Sequence, residues 1–208
     1  MQTQKTIRLL LQNVGGFGFC SQLQHIETLK MEKLRDLRIN QDVDFLCLTE
    51  VNKRWSQVNN ANLIWNVMSQ WVEHSSIKAA WKQCDPGHIE SKVGGTVAAT
   101  FNDTVHRIKG AGHDPMKLGH FLYIQGRYNC SAVVISAYCP CLSSGPYSVY
   151  PQHLNYMNIH NTPGNLDQRA FFWNDMTEIR SFLQDTSTQS LKKSGNGCWN
   201  LVSLKVYV

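Results

Sequence analysis

Ile7 to Val14 is a short run dominated by apolar residues and stopped by Gly15-Gly16, which predicts a buried strand running into a loop. Gln22 to Ile39 is rich in Leu, Met, Glu, Lys and Arg, the residues that lose least on entering a helix. Ile26, Leu29, Leu34 and Leu37 recur there near helical spacing and predict one apolar stripe, with Asn40 as the stop. Val43 to Leu48 reads as a second buried strand that ends at Thr49-Glu50.

Between Asn52 and Gln83 the pattern loosens: Trp55, Trp65, Trp71 and Trp81 supply bulk without a period, so no element is assigned. Val93-Gly94-Gly95 leads into a strand over Thr96–Phe101, and Phe121–Gln125 and Ala132–Tyr138 are two more strands. Pro140 closes the last of these, because proline cannot donate to a central ladder. Ser143–Asn165 reads as loop, punctuated by Gly145-Pro146 and Pro163-Gly164. Asp167–Gln184 reads as a helix burying Ala170, Phe171, Met176, Ile179, Phe182 and Leu183. Polar residues fill Asp185–Asn200, and the alternation of Val202, Leu204, Val206 and Val208 predicts a terminal half-buried strand. Interleaved strands and helices imply a layered α/β or α+β fold.

Composition narrows the class. With 208 residues, 42% hydrophobic and 17% charged, the chain has the content of one folded domain rather than of a disordered segment. No run approaches the roughly 18 apolar residues of a membrane span. Leu9–Leu11 is shorter than the roughly 7–15 apolar residues of a secretory core, so the expectation is an intracellular chain, nuclear or cytoplasmic. A formal charge of +5 suits a nucleic-acid partner without being polybasic. Seven cysteines, an odd number, favour reduced thiols over a disulfide framework. Neither Cys139-Pro140-Cys141 nor Cys84 with His88 has the spacing of half a zinc site, and Cys47 and Cys130 read as small buried hydrophobes.

Candidate chemistry gathers at strand ends. Asn13 closes the first strand and Glu50 the second, and a strand–helix–strand unit brings both ends to one edge of a sheet, where open sheets place their sites. A carboxylate with a carboxamide offers hard oxygen ligands of the kind Mg²⁺ takes while keeping several waters. Tyr138 would add a phenolic hydroxyl at that rim if its strand runs the same way. The plain alternative is that Asn13 is a turn residue and Glu50 a solvated loop residue. The chain contains no dinucleotide-binding, P-loop or hydrolase-elbow motif. The four tryptophans could stack on bases, but core packing is the commoner use of such residues.

Leu9–Phe17 (LLLQNVGGF), Asp42–Trp55 (DVDFLCLTEVNKRW), Val93–Phe101 (VGGTVAATF) and Val133–Cys141 (VVISAYCPC) occur in that order. Together they resemble the endonuclease/exonuclease/phosphatase superfamily, the fold of pancreatic deoxyribonuclease and exonuclease III. Tyr150–Leu183 looks like a subgroup common in retroelement-type reading frames, so the resemblance covers about residues 7–184. It implies a four-layer αββα sandwich of two similar halves and metal-dependent hydrolysis of a phosphate ester, with Mg²⁺ or Mn²⁺ as the cofactor. By that resemblance Glu50 is the principal metal ligand, Asn13 helps position metal and phosphate, and Tyr138 bonds near the phosphate. DNA or RNA would be the partner.

The chain departs from this pattern after Gln184. The family's Asp-x-Asn motif, which orients the attacking water and contacts phosphate, is absent, and so is its Asp-His pair. Loss of a general base costs about 10²–10⁴-fold, and loss of an electrostatic donor about 10²–10³-fold. The expectation is therefore a superfamily domain over residues 1–184 whose second half is incomplete, truncated relative to its relatives, with a divergent segment over 185–208. Its activity would be weak or nil. Two alternatives stand beside this: a non-catalytic nucleic-acid-binding module, and an inactive retroelement fragment.

Overall fold

A computed structural model describes residues 7–16, 24–53, 58–80, 95–113, 119–125 and 131–137, with helical positions at 154, 158, 170, 174 and 177. The first sheet contains β1 (Leu9–Asn13), β2 (Phe45–Thr49), β4 (Thr96–Phe101) and β3 (Ser75–Ala80), in the order β1-β2-β4-β3. Helix α1 (Gln24–Asn40) connects β1 to β2, which pair in parallel from Leu9 with Phe45 to Asn13 with Thr49. A parallel pair requires such a crossover, since a tight turn can only return the chain antiparallel. β4 lies antiparallel to both β2 and β3. The second sheet is an antiparallel meander of β5 (Ile108–His113), β6 (Gly119–Gln125) and β7 (Ser131–Ala137).

The alternation of side chains along β2 and β4 divides the core in two. Leu46, Leu48, Val97, Ala99 and Phe101 face outward from the sandwich. There they pack with Leu34 and Met31 of α1 and with Ile64 and Met68 of α2 (Ile64–Ser69). Phe45, Cys47 and Ala98 face inward and meet Val134 of β7, with Leu9 and Leu11 packed alongside. Every residue of β2 is buried, which explains its unbroken apolar run. The fold is thus mixed α/β: a helical layer, a sheet and a second sheet in succession. Among the described residues no helix is long and apolar enough to cross a membrane.

The end of the sheet away from the β1 and β2 C-termini is fastened by Asp44. Its carboxylate is buried and accepts from the Arg8 backbone N–H at 3.0 Å and from the Thr104 hydroxyl at 3.4 Å. Arg38, also buried, lays its guanidinium 5.0 Å from the centre of the Phe101 ring. Desolvation lowers the pKa of Arg38, while Asp42 and Asp44 oppose that shift.

The strands expected over Ile7–Val14, Val43–Leu48, Thr96–Phe101, Phe121–Gln125 and Ala132–Tyr138 are present as Leu9–Asn13, Phe45–Thr49, Thr96–Phe101, Gly119–Gln125 and Ser131–Ala137, as is the first helix. Its predicted stripe holds at Leu34 and fails at Leu29 and Leu37, while the side chain of Ile26 lies outside the described ones. Leu29 and Leu37 are exposed, and the buried side instead combines Leu34 with Arg38, whose charge is accommodated over an aromatic face. The interval Ser143–Asn165, expected as loop, has helical residues at Leu154 and Asn158. The unassigned stretch after Asn52 holds a 3₁₀ turn at Asn60–Asn62, then α2 and β3. Trp65 and Trp71 pack against the outer core. Ala170, Asn174 and Thr177 are helical, within the predicted helix. Tyr138, Cys130, Trp55, Trp81, the boundary at 184/185 and the predicted terminal strand lie outside the described residues.

Candidate functional site

Parallel pairing of β1 with β2 brings the C-terminal ends of both strands to one rim. Asn13 lies beside Thr49 in the register, and Thr49 lies beside Thr96, the first residue of β4. Asn13 shares its face with Leu9 and Leu11, Thr49 with Phe45 and Cys47, and Thr96 with Ala98. The three therefore form one polar row across three adjacent strands, on the face turned toward the second sheet. The next row down, Leu11, Cys47 and Ala98, is apolar. The face is therefore polar at the rim and apolar directly beneath it.

Strand spacing of about 4.8 Å puts neighbouring side chains of this row within reach of one small group. Thr49 and Thr96 are both buried, and the Thr96 hydroxyl has no hydrogen-bond partner among the described residues. Asn13 is half-buried. Its Oδ1 accepts from the Gly15 backbone N–H at 2.9 Å, which fixes the orientation of the carboxamide. The turn-forming role foreseen for Asn13 thus uses Oδ1, while a site role would use Nδ2 of the same side chain.

Glu50 follows the last residue of β2 and leaves the extended conformation, at φ +53°. Alternation alone would direct it with Leu46 and Leu48 toward the helices, and the left-handed turn breaks that sequence. Its carboxylate forms no hydrogen bond or ion pair with a described residue, and its backbone carbonyl accepts from the Gly16 N–H at 2.7 Å. The β1 and β2 chain ends therefore remain joined past the sheet: Val14 donates to Thr49 at 3.1 Å and Gly16 to Glu50. Lys30 completes the loop from α1, donating to the carbonyls of Val14 at 2.8 Å and Gly16 at 2.7 Å. Val51 donates to the Gly95 carbonyl at 3.2 Å, tying the other side of the rim to β4.

The backbones of Asn13 and Glu50 thus lie at adjacent strand ends on one rim. Thr49, Thr96 and Lys30 were missed. For the threonines the usable signal was parity: each lies an even number of residues from an inward apolar position. Nothing in the sequence signals Lys30, whose role depends on where α1 crosses the loop.

Among the described residues, the oxygen-bearing side chains at the rim are one carboxylate, one carboxamide and two hydroxyls. Among the described residues no cluster of three or more His, Cys, Asp or Glu side chains is present. Such a set does not suit Zn²⁺, which prefers nitrogen and sulfur, but it fits Mg²⁺ or Mn²⁺ that retains most of its water.

No family model matches the chain, and no curated protein does. Among solved structures it is similar to an endonuclease/exonuclease/phosphatase family protein from Leptotrichia buccalis, at 14% identity and a TM-score of 0.45, over 78% of this chain and 63% of that one. It is also similar to an AP endonuclease from Archaeoglobus fulgidus, at 10% identity and TM-score 0.42, covering 78% of this chain and 53% of that one. A third is a 3′ phosphatase from Neisseria bound to product DNA hairpin, at 10% identity and TM-score 0.45, covering 95% and 57%. The chain thus spans less than two thirds of the length of each of these three structures.

Proposed function

We propose that the chain belongs to the endonuclease/exonuclease/phosphatase superfamily and that its rim binds a divalent cation together with a phosphate ester. The observation that carries this reading is the placement of Asn13 and of Glu50, whose carboxylate pairs with no described residue, at adjacent parallel strand ends beside an inward-facing polar row. Four sequence motifs in the superfamily's order support it, and each described one falls on the strand that the resemblance implies. Mg²⁺ or Mn²⁺ bound there would polarise a phosphoryl oxygen and acidify bound water. Glu50 would hold the cation, and the Asn13 amide would donate to a phosphate oxygen, keeping the ester in register. Tyr138, next after the last residue of β7, is assigned a phosphate hydrogen bond by the same reading.

Nucleic acid is the substrate class this reading favours, given the +5 charge. Without Asp-x-Asn or Asp-His, this chain by itself is expected to turn over slowly or not at all. The test is nicking of supercoiled plasmid with Mg²⁺ or Mn²⁺, together with Mn²⁺ binding followed by electron paramagnetic resonance. Glu50→Gln should abolish the binding, and any nicking. Equal binding by wild type and Glu50→Gln would dismiss the site.

A further inference from the structure

Thr96 is 1% exposed, and its Oγ1 is buried without a hydrogen-bond partner among the described residues. A hydroxyl so placed has lost its solvent and gained nothing in return, which native folds rarely tolerate unless an absent group supplies the bond. Its surroundings limit what that group can be. Thr96 opens β4 directly after Gly95, whose carbonyl accepts from Val51, the residue following Glu50. Across the register stands Thr49, and beyond it Asn13. The row beneath, Leu11, Cys47 and Ala98, is apolar and offers no partner. A hydroxyl is a poor direct competitor for Mg²⁺ or Mn²⁺ beside a carboxylate, but it is a good acceptor and donor for the water such ions keep.

We infer that Thr96 is a positioning residue whose buried hydroxyl holds a water of a hydrated divalent cation at Glu50. This rests on the metal-site reading above. The role separates from structural packing because its two consequences have opposite sign. Thr96→Val keeps shape and β-branching while removing the unpartnered oxygen, so the apo protein should gain rather than lose. The cation should lose a water anchor.

The experiment uses the full chain as wild type, Thr96→Val, Thr96→Ser and Glu50→Gln, each stripped with EDTA. Thermal melting in EDTA and binding of Mn²⁺ alone, by electron paramagnetic resonance, are then measured. Thr96→Val should melt at or above wild type and bind Mn²⁺ about three- to tenfold more weakly, the effect of one hydrogen bond. Thr96→Ser should bind within about threefold of wild type, since it restores the oxygen. The inference is overturned if Thr96→Val melts several degrees lower in EDTA, or if it binds Mn²⁺ as wild type does while Glu50→Gln does not bind. If wild type fails to bind Mn²⁺, or Glu50→Gln binds equally, the metal site itself is refuted and the role of Thr96 with it.

Discussion

The Lys30 ammonium lies 2.7 Å from the carbonyl oxygen of Gly16, and with a second bond to Val14 at 2.8 Å it closes the loop in which Asn13 ends. A charged donor on a helix holds two loop carbonyls that would otherwise need water. The same loop bonds to Glu50 through the Gly16 N–H, so one lysine on α1 supports both chain ends of the rim.

Lys30→Met keeps the length and most of the apolar stem but removes both bonds. Two partly buried charge-assisted bonds suggest a loss of about 1–3 kcal/mol in urea unfolding. Hydrogen exchange at the Gly16 amide should accelerate by more than exchange in β2. A uniform acceleration would mean that Lys30 supports the fold globally and not this loop.

The two loop glycines should differ. Both have positive φ, +57° at Gly15 and +84° at Gly16. An added Cβ at Gly15 meets nothing within 4 Å, whereas at Gly16 it meets Asn52 Nδ2 at 3.1 Å and Cβ at 3.3 Å. Gly15→Ala should cost about 1 kcal/mol for the left-handed backbone alone. Gly16→Ala should cost about 2–3 kcal/mol, because crowding by Asn52 adds to that strain. Asn52→Gly in the Gly16→Ala background should recover part of the difference, read from unfolding midpoints. An equal cost at both glycines would contradict the crowding.

Much of this fold was legible because its strands are short, apolar and stopped by distinctive residues. Gly15-Gly16 after Asn13, Thr49-Glu50 after Leu48 and Gly95 before Thr96 each mark a chain end that the structure retains. β5 was not legible: Ile-Lys-Gly-Ala-Gly-His has two glycines and one β-branched residue, and it is held by pairing with β6, with an irregularity between Ile108 and Gly110. The buried side of α1 was misread for a related reason. Tertiary packing decided its rotation, and it buries Arg38 against Phe101 in preference to Leu37. At the rim, residue identity pointed to Asn13 and Glu50, and the register shows that Thr49 and Thr96 share a row with Asn13.

Cys47 gives the inner core a pH signature. Burial pushes its thiol from 9.0 up to about 12, and the adjacent Ser136 hydroxyl pulls the other way without meeting hydrogen-bond geometry. Above pH 9 the unfolded thiol ionises while the folded one keeps its proton, so the folded state binds more protons and stability falls as pH rises. The slope from this group approaches about 1.4 kcal/mol per pH unit between pH 9.0 and about 12. Cys47→Ala should lose that component of the slope while costing some packing. In the native protein at pH 8 the thiol should resist a thiol reagent until unfolding exposes it.

Glu50 offers the sharpest separation of stability from function. Among the described residues, four that are not glycine have positive φ: Asp42, Glu50, Asn52 and Asn102. Asn and Asp adopt that conformation readily because their short polar side chains bond locally; Glu has no such relief. A glutamate there carries a backbone cost of about 1–2 kcal/mol, the kind of strain that persists where a side chain is needed at a site. Glu50→Ala removes the carboxylate but keeps the Cβ that causes the strain. Glu50→Gly removes both, at the cost of a freer unfolded chain. Glu50→Gly should therefore be about 1 kcal/mol more stable than Glu50→Ala in urea, while neither binds Mn²⁺. If Glu50→Ala proves the more stable, the left-handed turn is not strained and its link to a site carboxylate falls.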